Sequence, residues 1–310
     1  MPRQKPIVVV GSINLDLVAV SERIPAVSET VTGTDFQTHP GGKGANQAVA
    51  IARLGYPVRM VGRLGSDSFG AQLQDHLTNV GVDIAAVARS EGPSGVAIIE
   101  VSAKGDNSIV VIPGANAKLT PEDIDANLPI IREAGAVLTQ LEIPLETVAH
   151  LCSVCAREKV PLILDPAPAR ELPATLFEQI DWFTPNESEA AFYAAIASDK
   201  SKDTAASLLA KGCRGVILKL GERGAYLASS SGLAETIPAF PVRAVDTTAA
   251  GDAFNGAFAV GLMLGKSARE SAIFAAATAA ISVTRRGAQP SMPTMAEVES
   301  AISTHSATSS

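Results

Sequence analysis

Short runs of β-branched and aliphatic residues alternate with longer Ala-rich stretches through most of this 310-residue chain. Apolar runs at Ile7–Val10, 58–61, 136–141, 162–164, 182–184 and 216–219 are short and lack the polar alternation of a half-exposed strand. Between them, residues 45–54, 68–80, 144–158 and 204–209 carry apolar side chains at helical spacing. Fully apolar strands separated by helices predict an α/β fold, with a mostly parallel central sheet covered by helices on both faces. Ligands of such sheets bind at the carboxyl ends of the strands, so the residues just after each apolar run are the first to inspect.

Two segments break the pattern. Residues 16–37 and 94–112 hold β-type runs without the βα rhythm, and runs 96–101 and 109–112 flank a turn-rich stretch at 103–108. They predict a small β-sheet lid, built from two separated segments at about 14–38 and 94–113 of a single domain spanning 1–310. The Ser/Thr-rich stretch 303–310 is expected to be a disordered tail.

Composition narrows the functional classes. Hydrophobic residues reach 46%, enough for a large core, so intrinsic disorder and a disulfide-stapled mini-protein are excluded. With 25 Lys and Arg against 32 Asp and Glu, the net charge is −7, and aromatics are only 4%. That balance argues against a nucleic-acid partner, and phosphate must be held by local devices rather than a basic surface. The longest stretch free of Asp, Glu, Lys and Arg, residues 271–284, falls short of the roughly 20 positions of a membrane span, so no membrane partner is expected. Cys152 and Cys155 form a CxxC pair inside an uncharged run at 147–156, which reads as a buried helix face rather than a redox or metal site. A reducing cytoplasm is the simplest location.

Candidate chemistry concentrates at strand ends and helix starts. In VDTTAAGDAFNGAF, residues 245–258, a turn of small residues leads into a helix with Phe254, Phe258 and Leu262 on one face. The backbone N–H groups of Ala249, Ala250 and Gly251 then point from a helix N-terminus, a ready anion site. Asp252 stands beside it in the first turn, where the helix dipole is expected to hold its pKa low. In HPGGKGANQAVAIARLG, residues 39–55, Gly41, Gly42 and Gly44 permit close backbone approach, and Asn46 offers a donor and an acceptor. Neither this turn nor the Gly-Lys-Ser at 265–267 is a Walker A loop. In TPNESE, Thr184, Pro185 and Glu187 read as the N-cap, first-turn and N3 positions of a capping box. Asn186 and Glu189 are then left free, three apart, for magnesium waters or phosphate oxygens. Asn14 and Asp16 follow the first strand, Glu142 the strand at 136–141, and the turn at 219–225, with Gly221 and Gly224, a later strand.

Taken together and in this order, these motifs resemble the ribokinase-like carbohydrate kinase family from residue 7 to about 302, with both signature regions, GGKGANQA and DTTAAGDAF. The resemblance implies transfer of a phosphoryl group from ATP to the 5-hydroxyl of D-ribose. Asp252 is then the general base, and the backbone of Ala249, Ala250 and Gly251 the anion hole. Sugar recognition falls to Asn14, Asp16, Gly42, Lys43, Gly44, Ala45, Asn46 and Glu142, together with Asp252. The nucleotide side is assigned to Asn186, Leu220, Gly221, Glu222, Arg223, Gly224, Ala225, Gly251 and Asp252. Asn186 and Glu189 match the magnesium-associated pair, acting through water. A potassium activator is implied, with Asp246, Thr248 and Ser291 and the backbone oxygens of Ser282, Arg285 and Gly287 as ligands. Ala276 departs from the polar residue common at its position, which implies apolar contacts to the base. A homodimer through the lid sheets is also implied. Two alternatives stay open: a kinase for 2-deoxyribose or another small sugar, and a catalytically silent binding protein on the same fold.

Overall fold

The computed structural model describes residues 4–195 and 200–308. Thirteen strands appear among them: β1 (Ile7–Val10), β2 (Asn14–Ser21), β3 (Gly33–Gly41), β4 (Val58–Gly65), β5 (Asp83–Ser90), β6 (Gly95–Ser102), β7 (Asn107–Ile112), β8 (Ala136–Thr139), β9 (Leu162–Leu164), β10 (Trp182–Phe183), β11 (Gly215–Lys219), β12 (Ala225–Ser229) and β13 (Ala234–Ile237). The helices are α1 (Lys43–Arg53), α2 (Ser68–Asn79), α3 (Pro121–Ala126), α4 (Leu128–Glu133), α5 (Leu145–Glu158), α6 (Ala174–Phe177), α7 (Glu187–Ala194), α8 (Ser201–Leu209), α9 (Ala250–Met263), α10 (Ala268–Ser282) and α11 (Met295–Thr308).

Nine strands form one sheet in the order β13-β12-β11-β10-β9-β8-β1-β4-β5. All its pairs are parallel except β11–β12 and β12–β13 at one edge. The all-apolar sequence of β1 is explained by its two faces. Ile7 and Val9 pack into a core with α1, α9 and α10, through Ala48, Phe258 and Phe274. Val8 and Val10 enter a second core with α5, through Leu151 and Cys152. Alternate side chains of one strand thus anchor both helical layers, as the period of two requires. Because the strands are parallel, their carboxyl ends share one edge. Asn14, Gln140, Asp165, Asn186 and Leu220 all lie on or just beyond that edge.

The second sheet has the order β3-β2-β6-β7. Its two hairpins come from separated parts of the chain and join through parallel pairing of β2 with β6, from Asn14↔Gly95 to Ser21↔Ser102. Only three residues separate β1 from β2, the first strand of this sheet. Leu15 is buried in the first core, whereas every residue of β7 is exposed, including Ile109, Val110 and Val111.

Three local expectations are corrected. The expected tail at 303–310 is helical through Thr308 as part of α11, and residues 309–310 lie outside the described residues. The strand read at 136–141 ends at Thr139, so Gln140 and Leu141 belong to the turn that leads to Glu142. The capping box of α7 is not formed by Thr184 and Glu187. Asn186 is the N-cap and Glu189 the N3 residue, each accepting from the other's backbone N–H at 2.9 and 2.8 Å. The box begins two residues later because Thr184 N–H donates to Leu164 O and Lys219 N–H claims Pro185 O, which keeps 184–185 extended along the sheet.

Candidate active site

One pole of the site is a network of buried polar side chains around Asp252. Asp252 is 5% exposed in the first turn of α9. Its carboxylate accepts from Asn46 Nδ2 at 3.0 Å and from Gln47 Nε2 at 3.1 Å, both on α1. Asn46 is itself oriented by Gln289, whose Nε2 donates to Asn46 Oδ1 at 3.0 Å, and His76 Nε2 lies 2.7 Å from Gln289 Oε1. Gln47 is held by Gln140 Nε2 at 2.7 Å and also donates to Asp165 Oδ2 at 3.0 Å. Burial, aided by Asp165, raises the Asp252 pKa from 3.8 to about 6, despite the counterweight of Lys43 and the two amide donors. The low value expected for a first-turn carboxylate is therefore corrected: desolvation outweighs the helix dipole.

Around this carboxylate stand the root of the small sheet and the start of α1. Glu142 Oε2 accepts from Ser12 Oγ at 2.6 Å and from Lys43 N–H at 3.2 Å, so an acid sits at the α1 N-terminus. Asn14 Oδ1 accepts from Asn116 Nδ2 at 2.7 Å, and Asn116 also makes two bonds to the backbone of Ile13. Asp16 is raised to about 7 by burial and by the nearby charges of Glu142 and Asp252. Burial opposes the charge on Lys43, but Asp252, Asp165 and Glu142 outweigh it and hold the ammonium above its ordinary value. The glycines are needed by contact. Gly42 has φ 87°, and a Cβ there would lie 2.7 Å from the Asn14 nitrogen. At Gly44 a Cβ would lie 2.7 Å from the Gly11 carbonyl carbon. Ala45 N–H donates to Ser12 O at 2.9 Å, which ties the same turn to the β1–β2 connection.

The opposite pole is a cavity of about 820 Å³ that reaches Asp252 and Gly251 at one end. Ala276, Ala279, Ala280, Val242 and Phe240 give it an apolar wall, in line with the small side chain at Ala276. Gly221, Glu222 and Gly224 line it, whereas Leu220 and Ala225 are buried in the core and Arg223 pairs with Glu187. Ala249 caps α9 in the left-handed conformation, φ 59°. Of the three expected N–H donors, that of Ala250 bonds Thr247 O at 3.2 Å, so the turn offers Ala249 and Gly251 more freely than Ala250. Asn186 and Glu189 both line the cavity, bound to one another.

Farther along, Asp246 Oδ1 accepts from Thr248 N and Oγ1, and its Oδ2 from Gly287 N at 2.8 Å. Those hydrogen bonds outweigh partial burial and keep its pKa low. Asp246, Thr248 and Gly287 are thus brought together. Arg285 N–H donates to Ser282 O, while Ser291 Oγ is turned toward Ala288 O. Cys152 and Cys155 are buried in α5, and burial pushes the Cys152 thiol up to about 12, so neither behaves as a reactive thiol.

Sequence reasoning missed Ser12, Gln47, Asn116, Gln140, Asp165, Lys219 and Gln289. Asp165 was detectable, since it directly follows the apolar run of β9. Gln47 and Gln289 were not singled out: the packing of α1 against α9 turns Gln47 inward, and the contact of residues 289–291 with α1 does the same for Gln289.

A buried carboxylate beside a helix start, between a polar recess and a large cavity, suits phosphoryl transfer to a hydroxyl. The comparisons agree. Residues 4–295 match the model of the pfkB family carbohydrate kinases. The ribokinase of Bacillus subtilis is 44% identical over 303 residues, covering 96% of this chain and 99% of that protein. The deoxyribokinase of Salmonella typhi is 37% identical, covering 93% and 96%. The structure of Arabidopsis thaliana ribokinase complexed with ribose and ATP superposes with a TM-score of 0.91 at 36% identity, covering 97% and 99%. The chain belongs to the pfkB family of carbohydrate kinases and is an ATP-dependent sugar kinase.

Proposed function

We propose that this chain transfers the γ-phosphoryl group of ATP to the 5-hydroxyl of D-ribose, giving D-ribose 5-phosphate and ADP. The observation that carries the reading is Asp252, buried at the junction of the polar recess and the cavity and raised to about 6. A carboxylate so placed orients the sugar hydroxyl and accepts its proton as the bond to phosphorus forms. The loose transition state of phosphoryl transfer asks little of the base early, so orientation is its larger part. The Ala249 and Gly251 N–H groups face the developing charge. Asn14, Asp16, Asn46 and Glu142 present the paired polar groups that read sugar hydroxyls, and a missing hydroxyl leaves one of them unsatisfied. Asp16 shares a carboxylate cluster with Glu142 and Asp252, which favours a hydroxyl-rich sugar over a deoxy one.

Two ions fit the residues present. Asn186 and Glu189 spend their oxygens largely on each other, which suits magnesium held through water rather than directly. Magnesium neutralises phosphate charge when bound. The anionic Asp246, with Thr248, Ser291 and the carbonyls of Ser282, Arg285 and Gly287, is an all-oxygen set suited to potassium, steadying the turn before α9. Residues 14–38 and 94–113 act as a lid of one kinase domain. The exposed apolar residues of β7 support a homodimer through the lid sheets. Three buried free cysteines suit a reducing cytoplasm.

A sugar panel with coupled ADP detection tests the reading, with ribose expected to turn over fastest. Equal turnover of 2-deoxyribose would move the assignment to the second reading, a kinase for 2-deoxyribose, to one of which the chain is 37% identical. Potassium in place of tetramethylammonium is expected to raise the rate. Light scattering is expected to return twice the chain mass.

A further inference from the structure

Lys219 and Asp165 form an ion pair that the reading above leaves without a task. Lys219 Nζ lies 2.9 Å from Asp165 Oδ1, with the two side chains 12% and 3% exposed. A pair this deep is weak evidence for stability, because stripping water from both charges offsets most of their attraction. Its position is informative. Both residues line the nucleotide cavity. Lys219 ends β11, and its backbone is tied to α7's start by the bond from Lys219 N–H to Pro185 O, so the ammonium is aimed from a rigid strand end. A Cβ built on Gly251 would lie 3.3 Å from Lys219 Nζ. The ammonium therefore stands against the first turn of α9, beside the N–H groups that face an anion. An ammonium has three donors, and Asp165 is the only hydrogen-bond acceptor of this one among the described residues.

Asp165 in turn is shared. Its Oδ1 takes Lys219 and its Oδ2 takes Gln47 Nε2, the same nitrogen that donates to Asp252. The cation is thereby held in register with the base through three hydrogen bonds.

We infer that Lys219 is a catalytic residue whose ammonium contacts the phosphate chain of the nucleotide at the N-terminus of α9, and that Asp165 is the positioning residue holding it there. The inference rests on the sugar-kinase reading and adds to it a phosphate contact from a side chain. In a chain of net charge −7, a lysine fixed at this point, with Lys43, supplies the local positive charge that the surface lacks. Charge develops on the transferred group as it moves, so a preorganised ammonium stabilises the transition state more than the bound substrates.

The test uses the whole chain. Lys219→Gln alone strands the buried Asp165 carboxylate, so it is paired with Asp165→Asn, and the double variant is the decisive protein. Its melting temperature is expected to stay near that of the parent. Its kcat is expected to fall by about 10²-fold, the usual effect of losing one donor to developing charge, with KM for the sugar little changed. ADP is expected to bind about tenfold more weakly while adenosine binds as before, since a charge-assisted contact is lost only by the ligand with phosphates. A folded double variant with parental kcat, or with equal losses for ADP and adenosine, overturns the inference and leaves the pair structural. The binding arm needs no turnover, so a parent inactive on every sugar would sink the sugar-kinase reading while ADP and adenosine still decide the role of Lys219.

Discussion

The two poles, assigned to sugar and nucleotide in the reading proposed above, are built on different principles. At the sugar pole, α1 begins on glycines that no other residue fits, and nearly every recognition group is a side chain locked by another: Asn14 by Asn116, Asn46 by Gln289, Gln47 by Gln140, Glu142 by Ser12. At the nucleotide pole, much of the wall is Ala, Val and Phe, and the Lys219–Asp165 pair stands beside the helix start that offers backbone N–H groups. The first pole must tell one polyol from another, so its polar groups are fixed before the substrate arrives. On that reading the second grips a phosphate chain common to many reactions, with apolar surface, backbone N–H groups and the fixed ammonium of Lys219. Asp252 sits at the junction and belongs to both.

Four substitutions and one change of condition press on this contrast, from the largest expected effect to the smallest. Asp252→Asn removes the proton acceptor at the junction and is expected to lower kcat by about 10³-fold or more, with ATP binding still detectable by calorimetry. Retained turnover would falsify the assigned role. At the sugar pole, Gly42→Ala sets a Cβ 2.7 Å from the Asn14 nitrogen at φ 87°. A cost of about 1–3 kcal/mol in stability is expected, together with a raised KM for the sugar. The matching change at the nucleotide pole, Gly221→Ala, meets nothing within 4 Å, although φ is 58°. It is expected to cost only about 1 kcal/mol and to leave KM for ATP unchanged. Comparable losses from the two glycines, seen in melting and steady-state kinetics, would dissolve the contrast.

Acidity comes next. Burial, with Asp165 nearby, raises Asp252 to about 6, and the base works only when ionised. The log of kcat/KM is therefore expected to be flat above that value and to fall as pH drops through about 6. A profile level down to pH near 4, the ordinary carboxylate range, would show that burial does not govern the base. The smallest effect is expected from Gln289→Ala, which frees Asn46 without touching the reacting atoms. A several-fold loss in kcat/KM for the sugar, with KM for ATP unmoved, would place Gln289 among the positioning residues of the sugar pole. An equal change in both would not.

Legibility followed the same divide. Apolar runs in β1, β4 and β9 exposed the buried parallel sheet, because a strand covered on both faces cannot hide its composition. The glycine turns and Asp252 were readable from local chemistry. The α7 cap was misread because Thr184, Pro185 and Glu187 satisfy the capping pattern as well as the true pair does, and strand pairing at 184–185 decided between them. The pKa of Asp252 was misjudged for a related reason: a helix dipole is visible in sequence, whereas burial by α1 is not. The segment 303–310 reads as polar, yet the helix continues through Thr308.

By itself the sequence determined the class of fold, the two helix starts that carry the chemistry, and the separate origin of the lid segments, since each rests on local periodicity or on residue types within a few positions. Tertiary structure alone decided the parallel pairing of β2 with β6, the amide relay from His76 to Asp252, and the union of Lys219 with Asp165. Those pairs lie 54 to more than 200 residues apart. Only the folded chain brings such distant polar groups together, and the deeply buried ones among them, Asn46, Asp165 and Asp252, hold protein partners in place of water.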